Sequence, residues 1–264
     1  MKKIIRQKLL FTAVVFVVVV GCCSLLFSAL CTFTQPSEEP RKQPRRAAII
    51  DQLSDSQPNQ TFLQTATATL EDAGFSVDYF CSENVTVEFL KSLPSRGYAL
   101  LILRQHSGLF LSKHPPLALF TSEPYSKTKY IHEQLTQQVV YVFYEENEAG
   151  PHYFGVLPKF VRLGMAGRFP STVVVLMGCD GLTYPNMPKA FVEKGAAVCV
   201  GWNGPVSAEH TDRATLRLLR ELTNCNSTVA EGVAATRSEV GPDAVYKSTL
   251  SFYPAEAGNY TLPS

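Results

Sequence analysis

Two stretches constrain the fold of this chain more than any other. Residues 98–103 read YALLIL and residues 172–177 read TVVVLM. Neither alternates polar with apolar side chains, so a strand built from either must be covered on both faces. Strands of that kind belong to parallel sheets with helices packed on each side. The surrounding pattern agrees. A short apolar run at 46–53 (RAAIIDQL) and an alternating run at 76–81 (SVDYFC) predict further strands, as does 196–202 (AAVCVGW). Helical spacing of Phe62, Leu63, Ala66 and Leu70 predicts a helix over 59–73, with Gly74 as its stop. Shorter helices are expected over 86–93, closed by Pro94, and over 187–194, closed by Gly195. Two more are expected over 212–222 and 229–238. Pro and polar clusters break 108–125 and 138–157 into β-prone pieces that suit hairpins. The expectation is an α/β domain with a mostly parallel central sheet.

In open sheets of this class ligands bind at the carboxyl ends of the strands. The first buried run delivers Arg104, Gln105 and His106 to that edge. The second ends on Gly178, Cys179 and Asp180. A thiol at a strand end has two readings: a small core residue, or a nucleophile presented beside a base.

The amino-terminal region is of another kind. Residues 9–33, LLFTAVVFVVVVGCCSLLFSALCTF, carry no charge and are long enough to cross the roughly 30 Å hydrocarbon core as a helix. The run exceeds the core of a cleaved signal peptide. Val19-Val20-Gly21-Cys22 has the outline of a lipoprotein processing site, but the residues beyond Cys22 stay apolar. The expectation is a cytoplasmic start at 1–8, an anchor at 9–33 and a Pro- and charge-rich linker at 34–46, followed by one domain over 47–264. Basic residues do not orient the span, because Lys2, Lys3, Arg6 and Lys8 before it are matched by Arg41, Lys42, Arg45 and Arg46 after it. The N-x-[ST] triplets at Asn59, Asn84, Asn226 and Asn259 take four of the eight asparagines, and favour an exported domain. The expected location is therefore a single-pass membrane protein with its carboxyl-terminal domain outside.

A formal net charge of +1 leaves no electrostatic footprint for nucleic acid. Cys81, Cys179, Cys199 and Cys225 lack metal-ligand spacing and signal no disulfide framework, although Cys81 and Cys225 could pair in an exported domain. No metal or cofactor is expected.

The residues at the two strand ends carry a resemblance. His106-Ser-Gly after one buried strand and Gly178-Cys-Asp-Gly after the next, then the KGAAVCVGW strand at 194–202 and the D-x-x-T helix from Asp212, resemble the caspase–haemoglobinase fold. The likeness is to CHAT-type and related prokaryotic caspase-like domains, the cysteine peptidases of clan CD. It follows the order of elements over about 46–240, and is residue-specific at 106–108 and 173–236. It implies a three-layer α/β/α sandwich, a peptide or protein substrate and a His106–Cys179 dyad without a required third member. Many members of the family carry Gly directly after the catalytic His, where its N–H helps to bind the oxyanion. Here Ser107 stands there, with Gly108 one place on.

The chemistry suits these residue types. A thiolate is the attacking species, and a free thiol titrates near 8.5, so it needs a base. An imidazole can take that proton and return it to the leaving amine. Gly178 is expected to let the chain turn without a Cβ clash and leave the Cys179 N–H facing the developing oxyanion, alongside the backbone at Ser107 and Gly108. Asp180 either meets a basic substrate side chain or bonds local backbone at a helix start. Trp202 either lines a substrate pocket or closes the core. Cys199 reads as core, His114, His132 and His152 as surface or packing residues, and His210 as part of a helix start.

The leading expectation is a membrane-anchored, caspase-like cysteine endopeptidase. The alternative is a catalytically inactive domain of the same fold that binds a peptide or protein partner. A flavodoxin- or receiver-like domain is disfavoured, since there is no phosphate-cradling glycine loop and only Asp51 closes the first strand. If residues 9–33 are retained, the full-length protein stays in the membrane pellet after carbonate extraction. A mature amino terminus beyond residue 33 would contradict the anchor.

Overall fold

The computed structural model describes residues 45–110, 115–144, 150–224 and 226–262. The proposed anchor, most of the linker, His114 and Cys225 lie outside the described residues. No helix among those described is long and apolar enough to cross a membrane.

The central sheet has six strands. In chain order its members are β1 (Arg45–Asp51), β2 (Phe75–Cys81), β3 (Leu100–Arg104), β8 (Val173–Leu176), β9 (Val198–Trp202) and β10 (Leu250–Tyr253). Their spatial order is β10-β9-β8-β3-β1-β2, with every neighbouring pair parallel except β10 against β9. The two buried runs are thus immediate neighbours, paired from Leu100–Val173 to Leu103–Leu176. Both end at the same sheet edge.

Side chains alternate across the strands and divide the core in two. Ala47, Ile49, Leu100, Ile102, Val173 and Val175 face one cluster, covered by α1 (Gln60–Asp72), α5 (Ala208–Leu222) and α6 (Val229–Val240). Ala48, Ile50, Leu101, Leu103, Val174 and Leu176 face the other. That side is covered by α2 (Val87–Ser92), α4 (Asn186–Glu193) and the inner face of a second, four-stranded sheet. The second sheet is antiparallel, ordered β4 (Ser107–Leu109), β5 (Leu117–Pro124), β7 (Tyr153–Val156) and β6 (Val139–Val142), with a short α3 at Ile131–Leu135. It grows directly from the end of β3, two residues beyond Arg104.

Three elements differ from the sequence expectation. β1 starts at Arg45, so Arg45 and Arg46 belong to the domain rather than the linker. Arg45 lies over the Phe75 ring, and Arg46 pairs with Asp78. α5 starts at Ala208, four residues earlier than its apolar spacing indicates, because its first turn turns polar groups inward. β10 is an unforeseen edge strand, too short and too polar on one side to stand out.

Polar groups are buried where the strands end. Arg104 is almost wholly enclosed and donates to Asp51 on β1 (2.8 Å), to both oxygens of Asp212 on α5 (2.8 and 2.9 Å) and to the Gln57 carbonyl (2.8 Å). Burial outweighs the pull of Arg104 and lifts the Asp51 carboxyl above its ordinary value. The guanidinium is what allows two carboxylates to sit this close in the interior. Replacing it, Arg104→Met, leaves them facing each other without a counter-charge. The expected loss is about 3–5 kcal/mol in a denaturant titration; a loss below about 1 kcal/mol would show that the cluster is not what holds these strands to α5.

Candidate functional site

The edge where β3 and β8 end is built by close backbone approach. Gly178 lies so near the extension of β3 that a β-carbon there would overlap the Ser107 Oγ and the Gln105 carbonyl oxygen. The Ser107 hydroxyl then donates to the Cys179 carbonyl at 2.6 Å. Residues on both sides of His106 therefore touch the Gly178-Cys179 segment directly. The expectation that a β-carbon at Gly178 would clash holds, while the turn itself is made further along the chain. Gly178 does not have the left-handed backbone that favours glycine; Asp180, with φ +60°, makes the turn. Gly178 is small so that two chain segments can meet.

Cys179 is half-buried. Its thiol faces the Val206 backbone, accepting from the Val206 N–H at 3.4 Å and lying 3.6 Å from the Val206 carbonyl oxygen. Burial pushes the thiol above its ordinary value of 9, against the Val206 N–H, while the Asp180 charge adds to the rise. Val206 is itself fixed from two sides. Ser207 donates through its N–H (3.0 Å) and hydroxyl (2.8 Å) to Asp243. Ser248 bonds the Pro205 carbonyl at 2.5 Å. Although Asp243 is enclosed, which works against its charge, the N–H groups of Tyr246, Ser207 and Val245 and the Ser207 hydroxyl hold it ionised well below the usual carboxylate range.

His106 is held by groups the sequence does not advertise. Its backbone N–H donates to the Gln52 Oε1 at 3.0 Å, and the Gln52 amide donates to the Tyr144 hydroxyl at 3.1 Å. The imidazole packs edge-on to the Tyr144 ring, 4.8 Å between centroids, and 6.1 Å from Phe120. Burial first, and the Arg104 charge second, lower its pKa below 6.5. Both groups are thus uncharged at neutral pH: an imidazole free to accept a proton, and a thiol that needs one removed.

The other expected site residues fall as follows. Ser107 and Gly108 lie in β4, opposite Leu119 and Ala118. The Asp180 carboxylate bonds a side chain in a turn rather than backbone at a helix start, accepting from the Thr183 hydroxyl at 2.7 Å, while its N–H bonds the Gly204 carbonyl. Trp202 is not a pocket residue. It is 1% exposed, and its indole N–H donates to the Thr211 hydroxyl at 2.9 Å. Of the sequons, Asn84, Asn226 and Asn259 are exposed. Asn59 caps α1 by accepting from the Phe62 N–H and donates its amide to Asp212, so that nitrogen is already committed within the fold. His210 is buried against Trp202. No group of metal-ligating side chains occurs among the described residues.

No protein-family model and no curated protein sequence matches the chain. Among solved structures, the crystal structure of the Arg-specific cysteine proteinase gingipain R is similar, with a TM-score of 0.50 and 12% identity. The match covers 83% of this chain and 48% of that one, so the chain spans about half the length of its structural neighbour. The mixed α/β architecture, with its mostly parallel central sheet, is similar to that of this cysteine proteinase. At this identity the likeness speaks for the fold.

Because burial favours the uncharged thiol, alkylation of Cys179 by iodoacetamide accelerates with pH, with a midpoint above that of a free thiol. A reaction already at its plateau near pH 7 would reveal a preformed thiolate and contradict the uncharged pair.

Proposed function

We propose that this chain is a caspase-like cysteine endopeptidase in which Cys179 is the nucleophile and His106 its general base. The observation that carries this reading is the contact between the two strand ends. Adjacent parallel strands deliver both residues to one edge, and Ser107 and Gly178 press the two segments together on either side of His106. Strands in a sheet lie about 4.8 Å apart, a distance across which an imidazole and a thiol can serve one substrate carbonyl.

In the reaction the Cys179 proton passes to the imidazole as the sulfur attacks the scissile carbonyl. The Cys179 backbone N–H is the donor this reading gives to the oxyanion; Gly108 is paired with Ala118 in the second sheet, and the Asp180 N–H is bonded to the Gly204 carbonyl. Collapse of the intermediate breaks the C–N bond. The imidazolium returns the proton to the departing nitrogen, and the acyl group remains on sulfur. Water, deprotonated by the same imidazole, then releases the acid and regenerates the thiol. The Val206 N–H supports the negative sulfur at each stage where it forms. We further propose that residues 9–33 anchor the domain outside the membrane, where it meets peptide or protein substrates.

One observation favours the alternative of a catalytically inactive, peptide-binding domain: the thiol is engaged by the Val206 backbone and its pKa is raised. Cleavage of a diverse peptide library separates the two. The peptidase reading expects Cys179→Ala to abolish turnover and His106→Ala to lower kcat/KM by at least about 100-fold in folded protein. Wild-type protein that binds peptides and cleaves none would establish the alternative.

A further inference from the structure

The outer face of the second sheet carries apolar side chains rather than the polar ones usual on an exposed antiparallel face. Ala118, Val142 and Leu157 are buried there, with Phe120, Val140 and Tyr153 half-buried on top of them. Tyr144 joins this face, its ring 5.9 Å from those of Phe120 and Tyr153. The His106 imidazole forms the remaining edge of the same ring cluster, packed on Tyr144 and Phe120. Gly155, opposite Phe120 on one side and Val140 on the other, keeps the floor low, since a β-carbon there would run into Val142. The result is a shallow aromatic bowl with an imidazole in its rim.

We propose that Phe120, Tyr144 and Tyr153 form the subsite for the substrate residue immediately after the scissile bond, and that it selects an aromatic or large aliphatic side chain. The inference rests on the peptidase reading above, and its occupant follows from proton transfer. The imidazole must reach the departing nitrogen to protonate it. The residue that owns this nitrogen therefore lies over His106, and its side chain has the bowl beside it. Half-exposed aromatic rings gain from an apolar or aromatic partner through burial and edge-to-face contact. A carboxylate finds only the Tyr hydroxyls there, and the Tyr144 hydroxyl is already bonded by Gln52. An ammonium finds only the ring faces, whose attraction for a cation is weak at a half-exposed site. The bowl thus assigns selectivity to the leaving-group side of the bond, on the far side of His106 from the β9 end.

The test uses full-length protein in detergent and peptides that vary only in the residue after the cleaved bond, read by mass spectrometry. Wild type is expected to favour Phe, Tyr or Leu over Gly or Asp by at least about tenfold in kcat/KM, the scale on which apolar pockets discriminate. In Tyr153→Ala the Phe-to-Gly ratio falls toward one, and in Tyr153→Phe it persists; melting curves show that both variants fold. Cys179-dependent cleavage that is indifferent to this residue, or that favours acidic or basic side chains, would overturn the subsite and leave the dyad standing. An unchanged ratio in folded Tyr153→Ala would overturn it as well. Absence of any Cys179-dependent cleavage would overturn the dyad and the subsite together.

Discussion

A buried cation at the end of a strand governs the arrangement of the whole sheet edge. Arg104 follows four apolar residues of β3 and finds almost no solvent. A guanidinium in such a place is tolerable only if its donors are met by fixed acceptors. Asp51 supplies one from β1, Gln57 one from the loop after it, and Asp212 two from the first turns of α5. The neighbouring Thr211 accepts from Trp202 at the end of β9 and donates to the Met177 carbonyl at 2.9 Å, one residue before Gly178. The amino-terminal turns of α5 therefore tie down the ends of β3, β8 and β9 at once. His106 and Cys179 each lie two residues beyond a tied position.

This explains how a half-buried pair of uncharged groups can be held in register without touching any charged side chain of its own. Helix position fixes the strand ends, and the strand ends fix the backbone contact through Ser107 and Gly178. Gln52 holds the His106 backbone, and the side chains themselves are set by neutral neighbours: the Tyr144 and Phe120 rings for the imidazole, and the Val206 backbone for the thiol. Such a site avoids the cost of burying a permanent thiolate–imidazolium pair. In the peptidase we propose, the work of proton transfer falls in the reaction itself, where a bound carbonyl supplies the driving force.

The sheet, its neighbouring strands and the placement of His106 and Cys179 at one edge were legible from the two apolar runs, because unbroken β-branched strands have few places to go. The supports of the site were not. Gln52 and Tyr144 come from segments distant in the chain and are ordinary polar residues until the fold brings them beside His106. Val206 acts through its backbone, which leaves no trace in residue type. Trp202 read equally as core or pocket because the deciding partner, Thr211, sits on another element. For Gly178 the need to avoid a Cβ clash is legible, but which segment it meets is not, because Ser107 and Gln105 come from the end of another strand. One signal was available. A lone arginine ending an apolar strand calls for a buried acid, and Asp51 and Asp212 were both in view.

The most direct measurement of the dyad is a crystal structure of the protein reacted with a peptide carrying an electrophile in place of the scissile bond. The account predicts a single covalent bond from the Cys179 Sγ to the inhibitor. It also predicts an imidazole nitrogen of His106 within about 2.6–3.2 Å of the position of the departing nitrogen. Electron density showing Cys179 unmodified on the Val206 backbone while the peptide reacts with or binds elsewhere would contradict it.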